Sequence, residues 1–193
     1  LDLYLPAGID HPPLVMFVHG GGWSAGNKER YAGLARVLCA EGIAAAAINT
    51  RMYPFVRPTE MAEDCARAFG FLHDRAAEYG FDAECMFLMG HSAGAHLVSW
   101  LALDDEKWEI AGMPRTALRG VIAMSGVYDA RPKHVLLDKV FGSDSEARAA
   151  ASRAMSRRNA ATASATSSRA VAKAQPCSTP RSENETSPVA AAA

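Results

Sequence analysis

The sequence lacks a charge excess of either sign, and it lacks an apolar run long enough to cross a membrane. Its 20 lysines and arginines nearly balance 21 aspartates and glutamates, for a formal net charge of −1 at pH 7. This balance gives no basis for binding nucleic acid or an anionic membrane surface. A membrane-spanning helix needs about 20 consecutive apolar residues, whereas the apolar runs at residues 12–18 and 43–48 are the length of a strand. We therefore expect neither nucleic acid nor a membrane as a partner.

Metal-binding patterns are also missing. The four cysteines share no C-x-x-C spacing, which argues against a zinc site, and we expect all four to be plain thiols: Cys39, Cys65, Cys85 and Cys177. The histidines and carboxylates show no metal-ligand spacing either. The sequence therefore predicts neither a metal nor a cofactor.

The chain also has no initiator methionine. Leu1 lies inside a predicted strand, so the loss of a signal peptide is an open alternative. Cytoplasm is therefore only the default compartment. No sequence feature indicates an oligomeric state.

Segments with strand-like and helix-like patterns alternate along residues 1–151. Residues 1–6 alternate apolar and polar side chains, which is typical of a half-exposed strand. Continuous apolar runs predict buried strands at residues 14–18, 43–49, 85–90 and 119–126, and helical spacing predicts helices at residues 28–41, 59–79 and 93–103. Strands and helices that take turns in this way form a mostly parallel sheet with helices on both faces. The expected fold class is therefore α/β.

Glycine and large apolar side chains disappear from the last quarter of the chain. Beyond Gly142 there is no further glycine and no leucine, isoleucine, phenylalanine, tryptophan or tyrosine. Alanine, serine, arginine, threonine and proline dominate residues 152–193, so this stretch buries too little apolar surface to offset its ordering entropy. We therefore predict an incomplete α/β domain over residues 1–151 and a low-complexity, disordered tail over residues 152–193.

The stretch GHSAG places Ser92 between Gly90 and Gly94, in the pattern G-x-S-x-G. A predicted strand ends just before Ser92 and a predicted helix begins just after it, which is the context of a nucleophile elbow. Side chains at positions 90 and 94 would clash with the adjoining strand and helix, so glycines fit there. The pattern predicts a nucleophilic serine at the carboxyl edge of the sheet. A glycine-rich turn with an idle serine is the alternative.

A second glycine-rich stretch, HGGGW at residues 19–23, follows a predicted strand. Acyl transfer places negative charge on the former carbonyl oxygen, and backbone N–H groups must be in place to stabilise it. Gly21 and Gly22 are the predicted donors, joined by the N–H group of Ala93. A phosphate-binding loop is the alternative, but the stretch lacks the G-K-[ST] ending of that motif. His19 is expected to brace this loop.

HGGGW, GHSAGAH and MSGVYD, in this order, resemble the motifs of the α/β-hydrolase superfamily and its serine esterase branch. That branch includes hormone-sensitive-lipase-like carboxylesterases, isoprenylcysteine methylesterase and kynurenine formamidase. The resemblance covers residues 1–151. It includes NTRMYP after the second buried strand, where Thr50 replaces a tyrosine often found in such enzymes.

The resemblance implies roles for particular residues. Ser92 is the nucleophile, and three N–H groups form the oxyanion hole: those of Gly21, Gly22 and Ala93. Tyr53 and Pro54 are expected near the pocket. Trp23 either packs the glycine-rich loop or contacts the substrate, with packing favoured.

The histidine and acid that would activate Ser92 are not recognisable in the sequence. The chain order in the superfamily is serine, acid, histidine, with the last two on loops after later strands. His96 lies one helical turn past Ser92 and is expected to pack. Asp129 and His134 are too close together for separate strand ends, and no histidine follows His134. The predicted fold therefore lacks its last strand–helix units, and our hypothesis is a shifted reading frame or truncation near residues 151–153.

Together these features predict a serine hydrolase of small or aryl carboxylic esters that works through an acyl-enzyme intermediate. An arylformamidase is the runner-up, because the same machinery cleaves formyl amides. The missing histidine favours a different class, a catalytically inactive fragment or binding module. An unstable product with an exposed apolar sheet edge is the remaining alternative.

Overall fold

The strands of the chain form one sheet in the computed structural model, which describes residues 1–131, 134–143, 148–149 and 152. The strands are β1 (Asp2–Tyr4), β2 (Leu14–Val18), β3 (Ala44–Ile48), β4 (Met86–His91) and β5 (Leu118–Met124). Their order across the sheet is β1-β3-β2-β4-β5. β1 pairs antiparallel with β3, and the other three pairings are parallel. The predicted mostly parallel sheet is confirmed.

Helices connect the strands and pack on the sheet. They are α1 (Ala32–Ala40), α2 (Pro58–Asp74), α3 (Ala76–Tyr79), α4 (Ala93–Leu103), α5 (Asp105–Ala111) and α6 (Val135–Phe141). α4 has the predicted bounds, whereas the helix predicted at residues 59–79 is divided at Arg75 into α2 and α3. α5 and α6 are absent from the prediction, because seven residues are too few for helical periodicity to stand out.

The centre of the sheet is fully covered. Every residue of β2 and of β3 is buried, since each strand is paired on both sides and helices lie on the sheet. α4 contacts β4 and β5, and α1 contacts β3. Large side chains of α2 complete the core, among them Met61, Phe69 and Leu72.

β5 is not the fourth buried strand that its apolar run predicts. In the described sheet it pairs with β4 alone, and none of its residues is buried. Ile122 is 46% exposed as a result. A crevice of about 480 Å³ lies between β5 and α4, with Ser99 and Leu103 on one side and Leu118 and Arg119 on the other. The crevice contains none of the predicted site residues.

The cysteines depart from the sequence expectation at one position. Cys39 and Cys65 are free thiols, and complete burial raises the pKa of the Cys65 thiol. Cys85 carries a disulfide bond, so the expectation of a plain thiol is wrong there. Cys177 lies outside the described residues.

The first residue of the predicted tail contacts the domain. Ser152 is buried, and its hydroxyl accepts a hydrogen bond from the Ala130 N–H (2.9 Å) and donates one to the Arg148 carbonyl (2.9 Å). Residues 153–193 of that tail lie outside the described residues. Within the described ranges, no helix combines the length and the apolar character needed to cross a bilayer.

Candidate active site

Ser92 lies in a sharp turn between β4 and α4. Its φ of 52° and ψ of −115° place a non-glycine residue in a sparsely populated backbone region. The Ser92 N–H donates to the Met124 carbonyl at the end of β5 (2.8 Å), and the Ser92 carbonyl accepts from the His96 N–H in α4 (3.1 Å). Strain of this kind persists where the surroundings fix it, and it concentrates at functional sites.

Gly90 and Gly94 let α4 lie directly on the strands. A Cβ at Gly94 would come 2.1 Å from the Val18 carbonyl oxygen in β2, and a Cβ at Gly90 would come 2.5 Å from the Gly94 backbone. These are the clashes with strand and helix that the G-x-S-x-G pattern predicts. Only a residue without a side chain fits either position.

The glycine loop, residues 19–23, runs beside the serine. A Cβ at Gly20 would lie 2.8 Å from the His91 carbonyl oxygen and 3.2 Å from the Ser92 Cβ, so the loop passes too close to the elbow for a side chain at this position. Gly21 and Gly22 have φ values of 133° and 59°, in the left-handed region that glycine enters without steric cost. The three glycines thus allow the loop to turn sharply next to the elbow.

His19 braces the glycine loop, as expected from its place at the start of HGGGW. It is buried, and its Nδ1 donates to the Gly20 carbonyl oxygen at 2.9 Å, a bond that assigns the ring proton to Nδ1. A Cβ at Gly26 would come 2.7 Å from the same nitrogen. The imidazole therefore fills the inside of the turn.

Trp23 packs inside the protein. Its buried ring meets His96 and Phe141 edge to face, with centroids 5.4 Å and 5.0 Å apart. The Trp23 carbonyl accepts a hydrogen bond from the Tyr53 N–H (2.9 Å). This bond places Tyr53 and the exposed Pro54 next to the glycine loop.

α6 contacts the glycine loop, and sequence reasoning missed it. The Leu136 Cδ2 atom lies 3.4 Å from where a Cβ of Gly22 would be. Arg57 Nη1 donates to the carbonyl oxygens of Lys139 (3.0 Å) and Val140 (2.9 Å) in the last turn of α6. Contacts between residues more than 80 positions apart leave no local pattern in a sequence.

The Ser92 hydroxyl has no histidine hydrogen-bonded to it in the described part of the chain. Asp129 is bound by Arg131 through two side-chain hydrogen bonds of 2.8 Å, and this guanidinium lowers the pKa of Asp129 to about 2. The Nδ1 atom of His134 accepts the Leu136 N–H (3.2 Å) at the start of α6. Both side chains have structural partners, which agrees with the expectation that they are not the acid and base.

A small cavity of about 10 Å³ separates the glycine loop from α4. It is lined by His19, Gly20, Trp23, Ala25, Thr50, Met52, Met61, Ala93 and Leu97. This space is too small for an organic substrate. Among the residues with described positions, no cluster of three or more histidine, cysteine or acidic side chains has the arrangement of a metal site.

Residues 1–176 match the family model BD-FAE. The chain is similar to the probable isoprenylcysteine alpha-carbonyl methylesterase ICME of Oryza sativa subsp. japonica, with 34% identity over 134 residues, 67% of this chain and 32% of that protein. It is also similar to kynurenine formamidase of Danio rerio, with 29% identity over 134 residues, 68% of this chain and 43% of that protein. The chain spans about a third to two fifths of the length of these relatives.

A solved structure of esterase B from Lactobacillus rhamnosis, with a C4-C4 SN3 tributyrin phosphonate, shares the fold. The TM-score is 0.64 at 27% identity, over 75% of this chain and 51% of that chain. This likeness confirms the α/β-hydrolase fold expected from the three motifs.

Proposed function

Because the chain belongs to the BD-FAE family of α/β-hydrolases, we propose that it hydrolyses carboxylic esters through an acyl-enzyme intermediate on Ser92. The observation that carries the proposal is the strained elbow at Ser92 with Gly20 of the glycine loop packed against it. The elbow presents a hydroxyl at the carboxyl edge of a parallel sheet, where α/β folds bind ligands. The methylesterase and esterase relatives give independent support.

In the proposed reaction, the Ser92 oxygen attacks the ester carbonyl carbon and the carbonyl oxygen takes up the negative charge. The N–H groups of Gly21, Gly22 and Ala93 donate to that oxygen. Collapse of the tetrahedral intermediate expels the alcohol, which leaves with a proton, while the acyl group stays on Ser92. Water then adds to the acyl carbon, releases the carboxylic acid and restores the hydroxyl.

The hydroxyl proton needs a general base. Since no described histidine is hydrogen-bonded to Ser92, we propose that activated esters with good leaving groups react slowly. A triad serine without its base retains about 10³–10⁴-fold acceleration over water from the oxyanion hole and binding. The same missing hydrogen bond favours the second candidate, an inactive fragment or binding module that keeps the fold without turnover.

Small or aryl acyl esters are the proposed substrates, and aryl formamides are the runner-up. Ester and formyl amide cleavage both pass through a tetrahedral oxyanion, so one serine and one set of N–H donors serve either reaction. The ester is favoured because the methylesterase relative is more similar to the chain than the formamidase relative, at 34% against 29% identity.

The test is hydrolysis of p-nitrophenyl acetate by the folded chain and by Ser92→Ala. Ser99→Ala is the matched control, because Ser99 lies on the same helix α4 but borders the crevice next to β5. We expect the parent and Ser99→Ala to hydrolyse the ester faster than Ser92→Ala, which keeps only the acceleration that the oxyanion hole and binding supply. Equal rates in all three proteins would contradict the proposal and favour the second candidate, a fragment or binding module without turnover. A parallel assay with formanilide separates esterase from formamidase.

A further inference from the structure

We infer that Arg57 is a positioning residue for the glycine loop. It fixes the end of α6, and α6 in turn holds the loop at Gly22 and Trp23. The effect of Arg57 on catalysis rests on the proposed function, whereas its effect on the positions of α6 and the glycine loop does not.

Arg57 is itself held in place at the start of α2. Its N–H donates to the Glu60 carboxylate (3.1 Å), and Pro58 begins the helix. From this anchor its guanidinium donates to the Lys139 and Val140 carbonyls. Carbonyls in the last turn of a helix have no partner inside the helix. A cationic donor at that end satisfies them and complements the helix dipole.

The Tyr53 ring provides a second link from Arg57 to the loop. The Arg57 guanidinium carbon lies 5.3 Å from the centroid of this ring, and the Lys139 Nζ atom lies 5.8 Å from it. Both distances fall in the range of cation–π attraction. Because the Tyr53 N–H is bonded to the Trp23 carbonyl, this contact joins Arg57, α6 and the glycine loop.

α6 lies against the glycine loop at both of its ends. Leu136, in its first turn, lies beside Gly22, with its Cδ2 atom 3.4 Å from where a Cβ would be, and Phe141, its last residue, packs on Trp23. Isolated helices shorter than about 12–15 residues are marginal in water, so a helix of seven residues depends on contacts outside itself. Removing Arg57 should therefore loosen α6 and the N–H donors of the loop together.

The test is hydrogen–deuterium exchange, followed by mass spectrometry, of the parent chain, Arg57→Ala and Arg57→Lys. We expect Arg57→Ala to accelerate exchange about tenfold in peptides covering residues 19–26 and 135–141, with β2 and β4 unchanged. Arg57→Lys, which keeps the charge but loses the planar fork, should lie between. Arg67→Ala is the control, since Arg67 lies within α2, the helix that begins directly after Arg57, but pairs with Glu63 and Asp64. Acceleration confined to α6, or equal effects of both alanine variants, would overturn the inference.

Leu136→Ala provides a second route to the same answer. It removes the side chain that lies beside Gly22 but leaves Arg57 in place, and it should accelerate exchange in residues 19–26. If Arg57→Ala proves unfolded, Arg57→Lys and Leu136→Ala decide the matter. Unchanged loop exchange in both would contradict the link.

Ester turnover separates the inference from the proposed function. In Arg57→Ala we expect kcat for p-nitrophenyl acetate to fall about tenfold with KM unchanged, because misplaced N–H donors weaken only the transition state. A parent chain without Ser92-dependent turnover, but with the expected exchange pattern, would refute the function and keep the inference. Normal turnover and normal loop exchange in Arg57→Ala would refute the inference alone.

Discussion

The two sides of the Ser92 site are built in different ways. On the elbow side, backbone meets backbone, and a Cβ at Gly90 or Gly94 would have no room. On the α6 side, side chains make the contacts. Arg57 donates hydrogen bonds to the last turn of α6, and Leu136 of α6 lies beside Gly22. Backbone contacts admit glycine alone and so appear as a motif, whereas side-chain bridges admit several residue types and leave no motif. One added methyl group on the elbow side should therefore destabilise the fold strongly, whereas a substitution on the α6 side should destabilise it less.

Gly94→Ala is expected to have the largest effect on stability. Its Cβ would lie 2.1 Å from the Val18 carbonyl oxygen, so α4 must move away from β2. We expect the free energy of unfolding to fall by about 4 kcal/mol or more, measured by urea denaturation with far-UV circular dichroism. Gly33→Ala is the control, because nothing lies within 4 Å of a Cβ there. It should stabilise α1 by about 0.5–1 kcal/mol, and similar losses at both positions would contradict the close packing of the elbow.

Phe141→Ala tests the other side of the comparison. Phe141 is buried and meets the Trp23 ring, so its truncation should leave a cavity and cost about 3 kcal/mol. Val135, on the same helix, is 84% exposed, and Val135→Ala should change stability by less than about 0.5 kcal/mol. Urea denaturation followed by tryptophan fluorescence measures both. A loss below about 1 kcal/mol for Phe141→Ala would mean that α6 is not firmly packed on the loop.

Asp129→Asn should have the smallest effect. Arg131 lowers the pKa of Asp129 from its ordinary value of 3.8 to about 2, so the pair stabilises the fold above pH 3.8 and loses that contribution as the pH falls toward 2. Because the Asp129 side chain is 45% exposed, we expect only about 0.5 kcal/mol at pH 6 and only a small part of that difference at pH 2, where the carboxyl is half protonated in the folded chain. Denaturation at the two pH values measures this.

The same variant checks that Asp129 is not the acid of a triad. Its carboxylate is occupied by Arg131, so Asp129→Asn should leave the reaction of Ser92 with a fluorophosphonate probe unchanged. A large fall in labelling would show that Asp129 orients a base for Ser92, which would contradict a purely structural role for this carboxylate.

The sequence predicted the features that repeat or that exclude side chains. The apolar runs of β2 and β3 and the glycines flanking Ser92 are of this kind, and the structure agrees with each. β5 was misjudged because an apolar run does not tell whether a strand has one neighbour or two. Its exposure follows from its place at the edge of the described sheet.

The α6 side could not be predicted, for a different physical reason. Seven residues give less than two turns of helical period, and the hydrogen bonds from Arg57 depend on where the chain returns in space. His134 illustrates the difficulty. In the sequence it stands out as the last histidine, yet its ring nitrogen caps α6 through the Leu136 N–H.

The most direct test of the central claim is to find which residue a fluorophosphonate modifies. The folded chain is incubated with the probe, digested and examined by tandem mass spectrometry, with Ser92→Ala beside it. We predict one adduct, on the peptide that contains Ser92, and none in the variant. An adduct on a different serine, or no adduct on the folded chain, would contradict the assignment of Ser92 as the nucleophile.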